Sequence, residues 1–136
     1  MPTDTDDTEA IATIQAEAEQ AARAARIAAQ NDAFRGAIVL GGPPPDLPGR
    51  VVCTRAVHAR GAAFVLAALE AVAGDETFTP DNDPHGDHGF GAVTVEGVRL
   101  WWRIDLYDPD LRFGSERPDD PEATTRVLTV MLPEDY

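Results

Sequence analysis

Apolar residues recur at helical spacing through the first quarter of the chain. Ile11, Ile14, Ala18, Ala21, Ala25 and Ala28 share one face of a long helix that should reach about Arg35. Asp6 followed by Glu9 reads as an acidic helix start, with carboxylates near the positive end of the dipole. Alanine favours the helix but buries little, so the first half should pack loosely; the better anchors, Ile27 and Phe34, come late. Gly36 and the run Gly41-Gly42-Pro43-Pro44-Pro45 through Pro48-Gly49 break the pattern, and prolines without an N–H predict a stiff surface loop. Arg50 to Val57 reads as a strand. Ala62 to Val72 reads as a helix with Val65, Ala68, Leu69 and Val72 on one face, ended by Gly74. Phe90 to Val95 and Val98 to Leu106 read as strands joined by the two-residue turn Glu96-Gly97, and Thr125 to Leu132 as a closing strand.

The turn sets a register. With Glu96 and Gly97 at the bend, Val95 faces Val98, Val93 faces Leu100, Gly91 faces Trp102 and Gly89 faces Ile104, so one face is wholly apolar or glycine. The opposite face pairs Thr94 with Arg99, Ala92 with Trp101, Phe90 with Arg103 and His88 with Asp105. On this register the polar loop 79–89 and a second acidic loop, roughly 108–121, converge at the open end of the hairpin.

The elements predict an α+β fold of two layers: an antiparallel sheet of about four strands (50–57, 90–95, 98–106, 125–132), packed by the 62–73 helix, with the long Ala-rich N-terminal helix alongside. Residues 1–26 read as an acidic helical extension and 27–136 as one domain; 136 residues suffice to close one core.

Charge narrows the classes of function. Eleven basic residues, all arginine, face 24 acidic ones, for a net charge of −13. Residues 1–22 carry six acids and no base, residues 23–69 six arginines and two acids, and residues 70–136 sixteen acids and five arginines. Such a field repels nucleic acid and anionic membranes and suits a partner protein with a basic surface. The single cysteine, Cys53, excludes an internal disulfide, and the N-terminus shows no basic and apolar leader pattern, so a cytoplasmic location is expected. Cys53 and His58, read as positions along one strand, should point to opposite faces and form no thiol nucleophile.

Candidate chemistry concentrates in one loop. Asp81, Asn82, Asp83, His85, Asp87 and His88, with Asp105 and Asp108 across the hairpin, form the candidate functional cluster. Asp81-x-Asp83-x-His85-Gly86 begins like a calcium-binding EF loop, but Ala92 stands where the bidentate glutamate is needed and a strand follows. Imidazole with carboxylate suits a divalent transition metal; Asp81, Asp83, His85, His88 and Asp105 are the candidate ligands, and an open coordination site would make the centre a metal-dependent hydrolase. The competing reading is that Asp, Asn, Pro and Gly simply shape a tight loop. Phe90, Trp101 and Arg103 share one hairpin face and form a possible contact patch, which the N-terminal helix is expected to cover. Nucleophile-elbow, phosphate-loop and dinucleotide signatures are absent.

Several segments together resemble one bacterial family. They are Asn31-Asp32-Ala33-Phe34-Arg35, the strand from Arg50 to Arg55, the loop from Phe78 to Gly91, Trp102 to Asp108, and Arg126 to Leu132. The chain is similar over about residues 27–136 to the domain of unknown function 3768. The resemblance implies small proteins, mainly alphaproteobacterial and often carried on plasmids and other mobile elements, and it supplies no catalytic residues or cofactor. Two classes of function follow. One is a non-enzymatic acidic interaction protein, an accessory factor occupying a basic, nucleic-acid-binding surface of a partner. The other is the metal-dependent hydrolase.

Overall fold

The computed structural model describes residues 4–136, with side chains from residue 7 onward. The expected acidic start at Asp6 therefore falls on a side chain outside the described set. Helix α1 spans Asp4–Gly36 and runs into a 3-10 turn at Ala37–Leu40. Strand β1 is Gly49–Cys53, α2 is a single turn at Arg55–His58, and α3 is Ala62–Ala73. The hairpin consists of β2, Phe90–Val95, and β3, Val98–Tyr107; β4 is Thr125–Met131. The strand expected over 50–57 is thus cut short. Thr54 stays extended as the N-cap, and the chain then coils into α2.

The sheet has order β1-β4-β3-β2. It is mostly antiparallel, as expected, but β1 runs parallel to β4. Parallel pairing requires a crossover, and here everything from α2 to β3 lies between the two partners. The hairpin register is the expected one from Val95↔Val98 to Phe90↔Arg103. Glu96 and Gly97 both have positive φ, 52° and 79°, matching a turn whose twist suits the strands.

One face of the sheet carries the core. Leu100, Trp102, Ile104, Leu128 and Val130 are buried there beneath Phe64, Ala68 and Val72 of α3 and Phe34 of α1. Two glycines mark where the layers meet most closely. A Cβ at Gly49 would collide with the Phe34 ring and the Arg126 carbonyl; one at Gly91 would strike the Trp102 indole and the Asp75 carboxylate. Burial on α1 begins only at Ile27, and every residue from Asp7 to Arg23 is exposed, including Ile11 and Ile14. Among the described residues, no helix is long and apolar enough to cross a membrane.

Candidate functional site

The site grows from polar side chains at the rim of the core. Asp75 follows α3 and is buried; its carboxylate accepts from Trp102 Nε1 at 2.9 Å, Thr77 Oγ1 at 2.6 Å and Thr77 N at 3.1 Å. Burial raises the pKa of this carboxyl, but the Thr77 and Trp102 hydrogen bonds and the Arg35 charge outweigh it and hold the group below the usual carboxylate value. Arg35, also buried, donates through Nη1 to the carbonyls of Val72 and Asp75 at 2.7 and 2.8 Å. A cation thus satisfies carbonyls at the C-terminal end of α3, where the helix dipole is negative. The same guanidinium lies 4.6 Å from the Trp102 ring centre and 5.3 Å from that of Phe78.

From Arg35 the network reaches the loop. Arg35 Nη2 donates to Asp32 Oδ1 at 2.8 Å, and Asp32 accepts from His88 Nδ1 at 2.9 Å. The His88 imidazole lies flat against Phe78, with ring centroids 3.8 Å apart at 6°. Its Nε2 faces Asp83 Oδ2 at 3.6 Å, and its backbone N–H donates to the Asp83 carboxylate at 3.3 Å. His88 adopts φ 53°, a left-handed conformation uncommon for a non-glycine residue, and so leaves the β2 ladder. Asn31 completes the attachment. Its Nδ2 donates to the Asp87 carbonyl at 2.9 Å, and its Oδ1 accepts from Arg126 Nε at 2.8 Å. Arg126 is buried on β4, with Nη2 on Gln30 Oε1 at 2.6 Å; burial without a carboxylate lowers its pKa to about 10.

This geometry corrects several expectations. His88 does not pair with Asp105. The ladder ends where Gly89 O accepts from Ile104 N; His88 then turns to Asp32, while Asp105 lies across from Val127 with Oδ2 3.1 Å from Arg103 Nε. The two acidic loops meet α1 instead of each other, the second through Asp119, which pairs with Arg26 at 2.8 Å. Asp108 closes its own turn by accepting from Arg112 N. Asn82 likewise braces its loop, accepting from Thr79 N and donating to the Thr77 carbonyl. Of the proposed ligands Asp81, Asp83, His85, His88 and Asp105, Asp83 and His88 approach each other, and among the described residues no group of three or more His, Cys, Asp or Glu side chains is arranged to hold a metal ion. Asp81 and His85 are exposed.

The cleft beside the network, about 500 Å³, is lined by Asp32, Arg35, Asp75, Glu76, Phe78 and His88. The His88 ring is held by Asp32 at Nδ1 and by Phe78 on one face, while Asp83 Oδ2 lies 3.6 Å from Nε2, beyond hydrogen-bond distance. His88 therefore serves as an anchor. The contact patch is also placed differently from expectation: α1 packs on the opposite face, so Phe90, Trp101 and Arg103 remain on the uncovered side of the sheet. Tyr136 leans over them, 5.7 Å from both the Trp101 ring and the Arg103 guanidinium. Cys53 and His58, in turn, line one cleft because α2 folds back beside β1. Burial pushes the Cys53 thiol up, the reverse of what a nucleophile needs. The two share a cleft, so opposed faces do not separate them, and no hydrogen bond joins the thiol to the imidazole among the described residues.

The residues missed from sequence are Asn31, Asp32, Arg35, Asp75 and Arg126. The first three lie close together on α1 and were visible as polar residues flanking Phe34 at the end of an alanine-rich helix. Fold and site together define a small α+β protein with a mixed four-stranded sheet, covered on one face, and a polar loop bolted to a long helix. The chain belongs to the family described as Protein of unknown function (DUF3768), whose model matches residues 53–135. Neither a curated protein nor a solved structure matches it. The match excludes α1, although Asn31, Asp32 and Arg35 of that helix anchor the loop inside it.

Proposed function

We propose that this chain is a small non-enzymatic interaction protein whose acidic surface occupies a basic, nucleic-acid-binding surface of a partner protein. The setting that fits the resemblance is the bacterial cytoplasm, as an accessory factor of a mobile element. The surface joins the exposed arm of α1, with Asp7, Glu9, Glu17 and Glu19, to the loop bearing Asp81, His85 and Asp87. One observation carries the reading: Glu17, Gln20, Arg23 and Ala24 line a single cleft with Pro84, His85 and Asp87, so arm and loop are continuous, with Arg23 the one base among them. The arm exposes carboxylates in a helix with few large apolar side chains, which suits a charge-driven encounter.

The test is calorimetric titration with a poly-arginine peptide. Binding should weaken steeply as salt is added, because exposed charges are screened. Neutralising Glu17, Glu19, Asp81 and Asp87 to their amides should weaken it by about tenfold or more. The same charge change at Asp110, Glu116, Glu122 and Glu134 should do much less. Equal losses from the two sets would overturn the reading.

A further inference from the structure

We infer that the outer edge of β1 is a strand-addition site for an extended, acidic segment of a partner protein carrying apolar residues at alternate positions. Among the described residues β1 pairs only with β4, and the ladder fixes which backbone groups are used. Arg126 N donates to Pro48 O and Thr54 N donates to Val130 O. In a parallel ladder both groups of alternate residues point to the same neighbour, so Arg50 and Val52 bond to β4, and the N–H and C=O of Val51 and Cys53 face outward. No described residue bonds to those outward groups. A free edge of this kind is a template for another chain.

The ground beside that edge is shaped for side chains. A cleft of about 590 Å³ opens between β1, the 3-10 turn after α1, the proline-rich loop and α3, lined by Ile38, Pro43, Val51, Cys53, Val65 and Leu69. Its lining is mainly apolar, and Val39, Leu40, Val52 and Leu66 on the flanking elements are exposed. An added strand would drop every second side chain into this cleft beside Val51 and Cys53. The intervening ones would fall on the other face beside Arg50 and Val52.

Charge selects the occupant. Residues 47–69 contain three arginines and a histidine but no carboxylate, in a chain whose net charge is −13. Arg50, Arg55, His58 and Arg60 are all exposed. The acids that approach are Asp46, which is exposed before the strand, and Asp135, whose carboxylate accepts from Thr54 Oγ1 at 2.7 Å. Two copies pairing edge to edge would bring these arginines together, which disfavours self-association and leaves an acidic strand as the complement. The acidic surface of arm and loop plays no part, so this site stands or falls separately.

The experiment uses the full chain, isotopically labelled, and a pool of short peptides alternating valine or isoleucine with glutamate or aspartate. Binding should shift the amide signals of Val51, Cys53, Val65 and Leu69 and slow hydrogen exchange at Val51 and Cys53. Arg50→Glu with Arg55→Glu should weaken binding about tenfold, and a pool with lysine in place of the acids should bind far less. Val51→Pro removes an outward N–H; should that variant fail to fold, peptides N-methylated at alternate amides test the same ladder without touching the protein, and one methylation register must lose binding. No shift at Val51 and Cys53, full binding by both methylated registers, helix induction in the peptide, or dimerisation of the chain through this edge would overturn the proposal.

Discussion

The two acidic loops have similar composition but use their aspartates differently. In the loop after β3, three acids are used internally: Asp108 closes a turn, Asp119 pairs with Arg26, and Asp120 accepts from Glu122 N and sits 3.4 Å from Arg117, while Asp110 and Glu116 stay exposed. In the loop before β2, attachment falls to Asn82, Asp83 and His88, with Asn31 and Asp32 reaching across from α1. Asp81 and His85 are left exposed with no side-chain partner among the described residues, and the Asp87 carboxylate accepts from its neighbour Gly89 N. A count of aspartates cannot distinguish the loops. Following each carboxylate to its donor does, because an acid already bound to its own backbone or arginine has little left to offer a partner.

The difference can be broken at its root. Asp75→Ala removes the buried acceptor of Trp102 and Thr77 and one of the two carboxylates near Arg35; a loss of about 3 kcal/mol is expected by chemical denaturation. The carboxyl pKa is lower in the folded chain than its ordinary value. Its stabilisation is therefore present above about pH 4 and lost as pH falls through the folded pKa, so Asp75→Asn should flatten the acid limb of the stability curve. His88→Ala should cost about 1–2 kcal/mol, from the lost Phe78 stack and Asp32 hydrogen bond, and should speed amide exchange over 83–89 while leaving 108–120 unchanged. Asp119→Ala should move the melting temperature less than His88→Ala does, since Arg26 is 56% exposed and the pair is screened by solvent. Asp81→Asn with His85→Ala should alter stability by no more than about 0.5 kcal/mol, yet weaken poly-arginine binding.

Much of this architecture was legible in the residues. The Glu96-Gly97 turn and the alternation around it specified the hairpin pairs, because slipping by one would have turned Trp102 and Leu100 outward. α3 was equally clear from its apolar face and terminal glycine. The candidate loop was identified, but its partner was not. Extending the ladder two pairs beyond Phe90 presumed that His88 kept an extended backbone, and its positive φ sends the ring toward α1 instead. Asp32, Arg35 and Asp75 gave no local signal of convergence, because their meeting depends on how α1 crosses the sheet. The parallel placement of β1 depends likewise on a crossover that no pattern within β1 encodes. Thr54 and Arg55 offered no proline or glycine to mark the end of that strand.

The most direct test of the acidic surface is amide shift mapping of the full chain against a poly-arginine peptide at low salt. The account predicts shifts grouped on residues 7–24 and 81–88, with the loop at 108–120 nearly silent. Shifts spread evenly over all acidic segments, or centred on 108–120, would contradict it.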